Sequence, residues 1–173
     1  MTTTASRVTQ ADTAIFEGLQ AAGIHMVLSL PDSILHGVAR LAEQDPAVRH
    51  VVCTREDEGL AIAAGAFLGG QLCALVTEGS GVGYSALILA RMLLQRTPVL
   101  ILASHNPVFG ERFDYHGAGR LSSQGVLAGL GLPYAVITDA RDLTARVRDA
   151  GVTAAGQRQP VTLLFAPTVT GRS

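Results

Sequence analysis

Residues 50–84 read HVVCTREDEGLAIAAGAFLGGQLCALVTEGSGVGY. The apolar runs at 50–54 and 72–77 have the length of buried strands. Between them, residues 56–68 form an alanine-rich stretch that opens on three acids and stops at Gly69-Gly70. Acids at the positive end of a helix and glycine just past its last turn are the expected start and stop signals. The glycine-rich residues 77–84 then lead into a long apolar helix predicted at 81–95. A strand, a helix and a second strand in this order predict a parallel pair with a right-handed crossover.

The same alternation extends both ways. On the amino side, residues 8–22 place Ala14, Ile15, Leu19 and Ala22 on one helical face, with Gly23 as the stop. Residues 25–30 read as a strand ending at Pro31, and Asp32 or Ser33 can cap a helix reaching about residue 43. On the carboxyl side, strands are predicted at 98–103, 134–137 and 160–165, with helices at 123–130 and 142–156 and an irregular stretch at 106–122. The fold class is therefore α/β, one three-layer domain with about six mainly parallel strands and helices on both faces. We expect a polar leader at 1–8, the domain at 9–168 and a tail at 169–173.

Composition narrows the functional classes. Of 173 residues, 48% are hydrophobic, enough to build a core and to exclude disorder for most of the chain. All 13 basic residues are arginine, and 14 acids leave a net charge of −1, which gives no footprint for nucleic acid or an anionic membrane. Cys53 and Cys73 are too few for a disulfide framework and are not spaced as a zinc site, so a reducing cytoplasmic setting is expected. No apolar run approaches the roughly 18 residues of a membrane span.

In parallel α/β sheets ligands gather at the carboxyl ends of strands, which here means residues 30–33, 54–58, 77–84 and 103–116. The turn at 77–84 is not a dinucleotide fingerprint, because Tyr84 stands where its last glycine belongs. A phosphate loop fails for want of any lysine, and a nucleophile elbow at Ser80 fails because Glu78 replaces its first glycine. Arg55-Glu56-Asp57-Glu58 can be read as ordinary helix-end charges or as a catalytic acid opening a small-residue helix.

Glu56 with Gly65 nine positions later, followed by the Gly81-Val82-Gly83 turn and Ser85-Ala86-Leu87, resembles the pyrimidine-binding (PYR) domain of thiamine diphosphate (TPP, ThDP) enzymes. More narrowly, Pro31-Asp32-Ser33, Arg55-Glu56-Asp57-Glu58 and Gly131-Leu132-Pro133-Tyr134 are similar to phosphonopyruvate and sulfopyruvate decarboxylases. The resemblance implies that Glu56 hydrogen-bonds the cofactor's aminopyrimidine and activates it, with Asp57 and Glu58 as helix-end or interface charges. It implies cofactor contacts from Pro31, Ser80, Gly81, Val82 and Gly83, with Tyr84 on the substrate side; Ser33, after Pro31, and His105, just past a strand end, are candidate substrate contacts by position, or residues that cap or turn the chain. His116 is a candidate acid/base, while Arg112 and Arg120 are candidate anion clamps.

In the resembled family a second domain, bearing Gly-Asp-Gly and an Asn-Asn pair, holds the diphosphate and Mg²⁺. This sequence has neither motif, its only asparagine being Asn106. The resemblance therefore implies an α subunit that shares ThDP with a β subunit, in an α₂β₂ complex acting on a small 2-oxo acid as decarboxylase or carboligase. Tyr84 and Glu78 stand where the decarboxylases usually carry an asparagine and an amide, so an anionic substrate would need an arginine beside Glu78. Two other readings stand beside this one: a Rossmann-like nucleotide-binding module, and a catalytically silent regulatory subunit that kept the fold.

Overall fold

The computed structural model describes residues 7–106, 111 and 113–172. Most of the expected leader, Arg112 and residues 107–110 lie outside the described residues. Six strands carry the fold: β1 (Met26–Ser29), β2 (Arg49–Val52), β3 (Cys73–Glu78), β4 (Leu100–Ser104), β5 (Tyr134–Ile137) and β6 (Val161–Phe165). The helices are α1 (Gln10–Ala21), α2 (His36–Gln44), α3 (Glu56–Leu68), α4 (Gly79–Tyr84), α5 (Ala86–Gln95), α6 (Asp114–Gly129), α7 (Leu143–Gln157) and α8 (Pro167–Thr170). The sheet order is β2-β1-β3-β4-β6-β5, and every pairing is parallel.

Strands buried on both faces need apolar residues throughout, which is why β1, β4 and β6 read as continuous runs rather than alternating ones. Ile15, Leu19, Val38 and Val147 cover one face through α1, α2 and α7. Leu60, Leu89, Met92 and Leu127 cover the other through α3, α5 and α6. The chain leaves β1 outward to β2 and then returns across it to β3, so the loops after β1 and β3 diverge, and their parting is where such sheets open a crevice.

Several expectations are corrected. The helix predicted from Asp32 begins at His36, because Asp32 Oδ1 accepts the amides of Ile34 (2.9 Å) and Leu35 (2.6 Å) and closes a separate turn first. The helix predicted at 81–95 is two helices, α4 and α5, parted at Ser85. The glycine-rich segment is thus helical from Gly79 and not an open turn.

The largest correction concerns residues 106–122, expected to be irregular, and the short helix expected at 123–130. Asp114–Gly129 is one sixteen-residue helix. Its four glycines lower helix propensity and hide the pattern. At Gly119 a β-carbon would sit 3.4 Å from the Ser80 amide nitrogen, an ordinary contact distance, so α6 touches α4 there. Ser122 and Ser123 return hydrogen bonds to the carbonyls of Gly119 and Arg120, as serines inside helices do.

Candidate functional site

The three acids opening α3 are not equivalent. Asp57 takes a two-pronged ion pair from Arg55, Nε to Oδ1 and Nη2 to Oδ2, each 3.0 Å. Hydrogen bonding to Arg55 holds its carboxyl below the usual carboxylate range. Glu58 turns back to accept the amide (2.7 Å) and hydroxyl (2.8 Å) of Thr54, bonds that likewise hold its carboxyl low. Both acids are therefore spent on ordering the helix start. Glu56 is half-buried and makes no hydrogen bond or ion pair among the described residues.

What Glu56 meets instead is glycine. A β-carbon at Gly81 would lie 2.7 Å from Glu56 Cδ and 2.8 Å from Oε1, so the carboxylate rests on the bare backbone of α4. A β-carbon at Gly83 would lie 2.5 Å from that of Ser122, and one at Gly79 would lie 2.7 Å from the Ser104 carbonyl oxygen. The glycines of α4 thus let one short helix wedge between α3, α6 and the end of β4.

The remaining candidates divide. Val82 is buried in the core, while Ser80 sits partly exposed against Gly119. Tyr84 is exposed, and its hydroxyl accepts a hydrogen bond from Arg55, whose guanidinium also lies 5.0 Å from the ring centre. His105 is buried just past β4, its amide donating to Phe165 O at 2.8 Å. Burial, then the charge of Arg120, lowers its imidazole from the ordinary value, and its Nδ1 has no partner among the described residues.

His116, expected in an irregular stretch, stands in the first turn of α6. Its Nδ1 lies 2.7 Å from Glu111 Oε2, and its ring packs edge-on against Phe113 and Tyr115. No contact ties it to Glu56. Pro31 and Ser33 are exposed on the β1–α2 loop, one strand over from β3 on the same rim. The structure therefore brings Glu56 together with Gly81 and joins Ser80 and Gly83 to α6, while His105, His116, Pro31 and Ser33 stand around them.

Sequence reasoning missed Ser122, Gly119 and the buried, unpartnered hydroxyls of Thr77 and Ser85. A run of glycines in a predicted helix facing a glycine-rich neighbour was the one available signal. Among the described residues no three His, Cys, Asp or Glu side chains gather as a metal site. Both cysteines are free and buried, and burial pushes the Cys73 thiol up to about 11. Among the described residues no helix is long and apolar enough to cross a membrane.

Residues 9–125 match the family described as thiamine pyrophosphate enzyme, N-terminal TPP binding domain. The chain is 37% identical over 99 residues to sulfopyruvate decarboxylase subunit alpha of Methanothermobacter thermautotrophicus, a stretch covering 57% of this chain and 60% of that protein. It is 26% identical over 156 residues to the protein of the same name from Methanococcus maripaludis, covering 90% and 93%. Among solved structures, the thiamine diphosphate-dependent 4-hydroxybenzoylformate decarboxylase of Rhodococcus jostii superposes with a TM-score of 0.71 at 19% identity, over 91% of this chain and 30% of that one. That likeness shows the fold.

Proposed function

The chain belongs to the N-terminal TPP-binding domain family of thiamine pyrophosphate enzymes, and from that premise we propose that it is the α subunit of a two-subunit, thiamine diphosphate-dependent 2-oxo acid decarboxylase of the sulfopyruvate and phosphonopyruvate type. The names of its relatives support the reaction class and the split into subunits.

One observation carries the assignment. Of three adjacent acids only Glu56 makes no side-chain hydrogen bond or ion pair among the described residues, and it lies against the glycine backbone of α4. Those residues fit the aminopyrimidine of thiamine diphosphate. Glu56 would hold a proton between a carboxyl oxygen and a ring nitrogen, Gly81 and Gly83 would border the ring, and Val82 would back it from the core. When bound, the cofactor supplies the electron sink that stabilises the carbanion left by loss of CO₂. The chain's own work is to orient that ring, shed water from Glu56 and move one proton there.

Diphosphate and Mg²⁺ fall to the β subunit in this reading. Ser33 and His105 border the substrate side of the rim in this reading, His105 with an unpartnered Nδ1 and an imidazole that feels the positive charge of Arg120. The outer side of α3 leaves Ala61, Gly65 and Leu68 exposed, a strip suited to partner contact.

The test is co-purification of the chain from its native cells, followed by assay of the complex with thiamine diphosphate, Mg²⁺ and a panel of 2-oxo acids. A stoichiometric partner with Gly-Asp-Gly and Asn-Asn, and CO₂ release abolished by Glu56→Gln with assembly intact, is the expected result. Unchanged turnover in Glu56→Gln would return the protein to a regulatory role.

A further inference from the structure

Asp12, in the first turn of α1, is wholly buried, and Arg172, just after α8, is nearly so. Arg172 Nη1 donates to Asp12 Oδ1 (2.8 Å), and Nη2 donates to Oδ2 (2.5 Å). The guanidinium also donates through Nη1 to the Ile34 carbonyl (2.8 Å) and through Nη2 to the Arg7 carbonyl (2.9 Å). Asp12 Oδ2 accepts the Thr9 amide (2.7 Å) and hydroxyl (2.8 Å) as well. Burial pushes the Asp12 carboxyl up, but the bonds from Arg172 and Thr9 outweigh it and hold the group below the usual carboxylate range.

A buried ion pair is an expensive way to hold a fold together, since well-packed apolar residues of similar volume often do as well or better. An apolar pair could not bind the Ile34 carbonyl. That carbonyl belongs to the loop after β1, whose Ile34 and Leu35 amides are already taken by Asp32 Oδ1. Two residues on, Gly37 packs so closely that a β-carbon there would lie 2.7 Å from Asp12 Oδ1. The loop is thus fixed at one peptide from both sides and seated on the Asp12 carboxylate, while Pro31 and Ser33 remain exposed at its tip.

We propose that Arg172 is a positioning residue: through its hydrogen bond to the Ile34 carbonyl it holds the β1–α2 loop so that Pro31 and Ser33 face the cofactor and substrate. This rests on the assignment of those two residues above. The planar fork is essential to the role, because one guanidinium spans Asp12 and the loop together, which a lysine ammonium cannot do in the same geometry.

The test compares Arg172→Gln, Arg172→Lys and the near-isosteric Asp12→Asn in the full chain bound to its partner. Amide hydrogen exchange at Ile34, Leu35 and Val38 should quicken about tenfold or more in Arg172→Lys, while α7 and β4 amides keep the unmodified rate. In the loaded complex, KM for the 2-oxo acid should rise about tenfold with a smaller change in kcat, and Ser33→Ala should add less to KM in that background than alone. Uniformly faster exchange across the sheet, or KM unchanged with the loop amides loosened, overturns the proposal. Should Arg172→Gln not fold, Arg172→Lys and Asp12→Asn give the same readouts. If Glu56→Gln keeps full turnover the decarboxylase reading falls, while loop exchange still decides whether Arg172 holds the loop.

Discussion

Glu56 and Gly81 touch across 25 positions of sequence, with the space a β-carbon would need at 81 lying 2.8 Å from the Glu56 carboxyl oxygen. Neither helix start nor glycine segment alone makes a site. In the proposed function their contact does, because it leaves a carboxylate bordered by backbone and not by a side chain that would saturate it.

Gly81→Ala should therefore displace Glu56 without removing it. A shift near 1 Å at a catalytic group can cost on the order of a hundredfold in rate. We expect kcat to fall by that order in the assembled complex, with overpacking of about 1–3 kcal/mol seen in urea unfolding. Wild-type kcat in this variant would show that Glu56 does not act from its present position.

Gly83 tests the packing of α4 against α6. A β-carbon there meets Ser122 on α6 and not Glu56. Gly83→Ala should destabilise by a similar amount, about 1–3 kcal/mol. Gly83→Ala paired with Ser122→Gly should recover part of that loss, since the two shortest contacts are with the serine side chain while its backbone carbon stays 3.1 Å away and a glycine inside a helix costs roughly 0.5–1 kcal/mol; no recovery at all would place the strain in the backbone.

Gly65 points the other way. It lies inside α3 with nothing within 4 Å of a built β-carbon. Gly65→Ala should raise the stability of the isolated chain by roughly 0.4–1 kcal/mol, through helix propensity and a less free unfolded chain. If the exposed side of α3 is the docking strip, the same variant weakens association with the β subunit. A titration by calorimetry that leaves affinity untouched would remove α3 from the interface.

His105 should leave a signature in the pH dependence of stability. Burial first and Arg120 second lower its folded pKa below the ordinary 6.5. The unfolded chain then takes up a proton that the folded chain resists, so stability present above 6.5 declines as pH falls below that value toward the folded pKa. Urea unfolding at about pH 7.5 and about pH 5.5 should show a smaller loss in His105→Gln than in the wild type. Equal losses in the two proteins would mean that the ring is not held neutral by the fold.

Much of the fold was legible because period and punctuation are local properties. Strand β5 coincides with its predicted residues 134–137, α3 with residues 56–68, and Gly23, at φ 72°, ends the first helix as expected. Helix α6 was not legible, since its four glycines, three of them facing open space, lower local helix propensity and hide the pattern. Of the candidate site, the acidic helix start alone left Glu56, Asp57 and Glu58 on equal terms, and it was the resemblance to the PYR domain that singled out Glu56.

By itself, then, the sequence determined the alternation of strands and helices, the rim where their ends collect and the short list of acids and glycines on it. Only the tertiary structure decided that Arg55 and Thr54 consume two of those acids, that Glu56 settles on Gly81, and that Arg172 reaches Asp12 from 160 residues away. Hydrogen-bond partners and close backbone approaches are selected by three-dimensional packing, and the spacing of residues along a chain carries no record of which distant surfaces will meet.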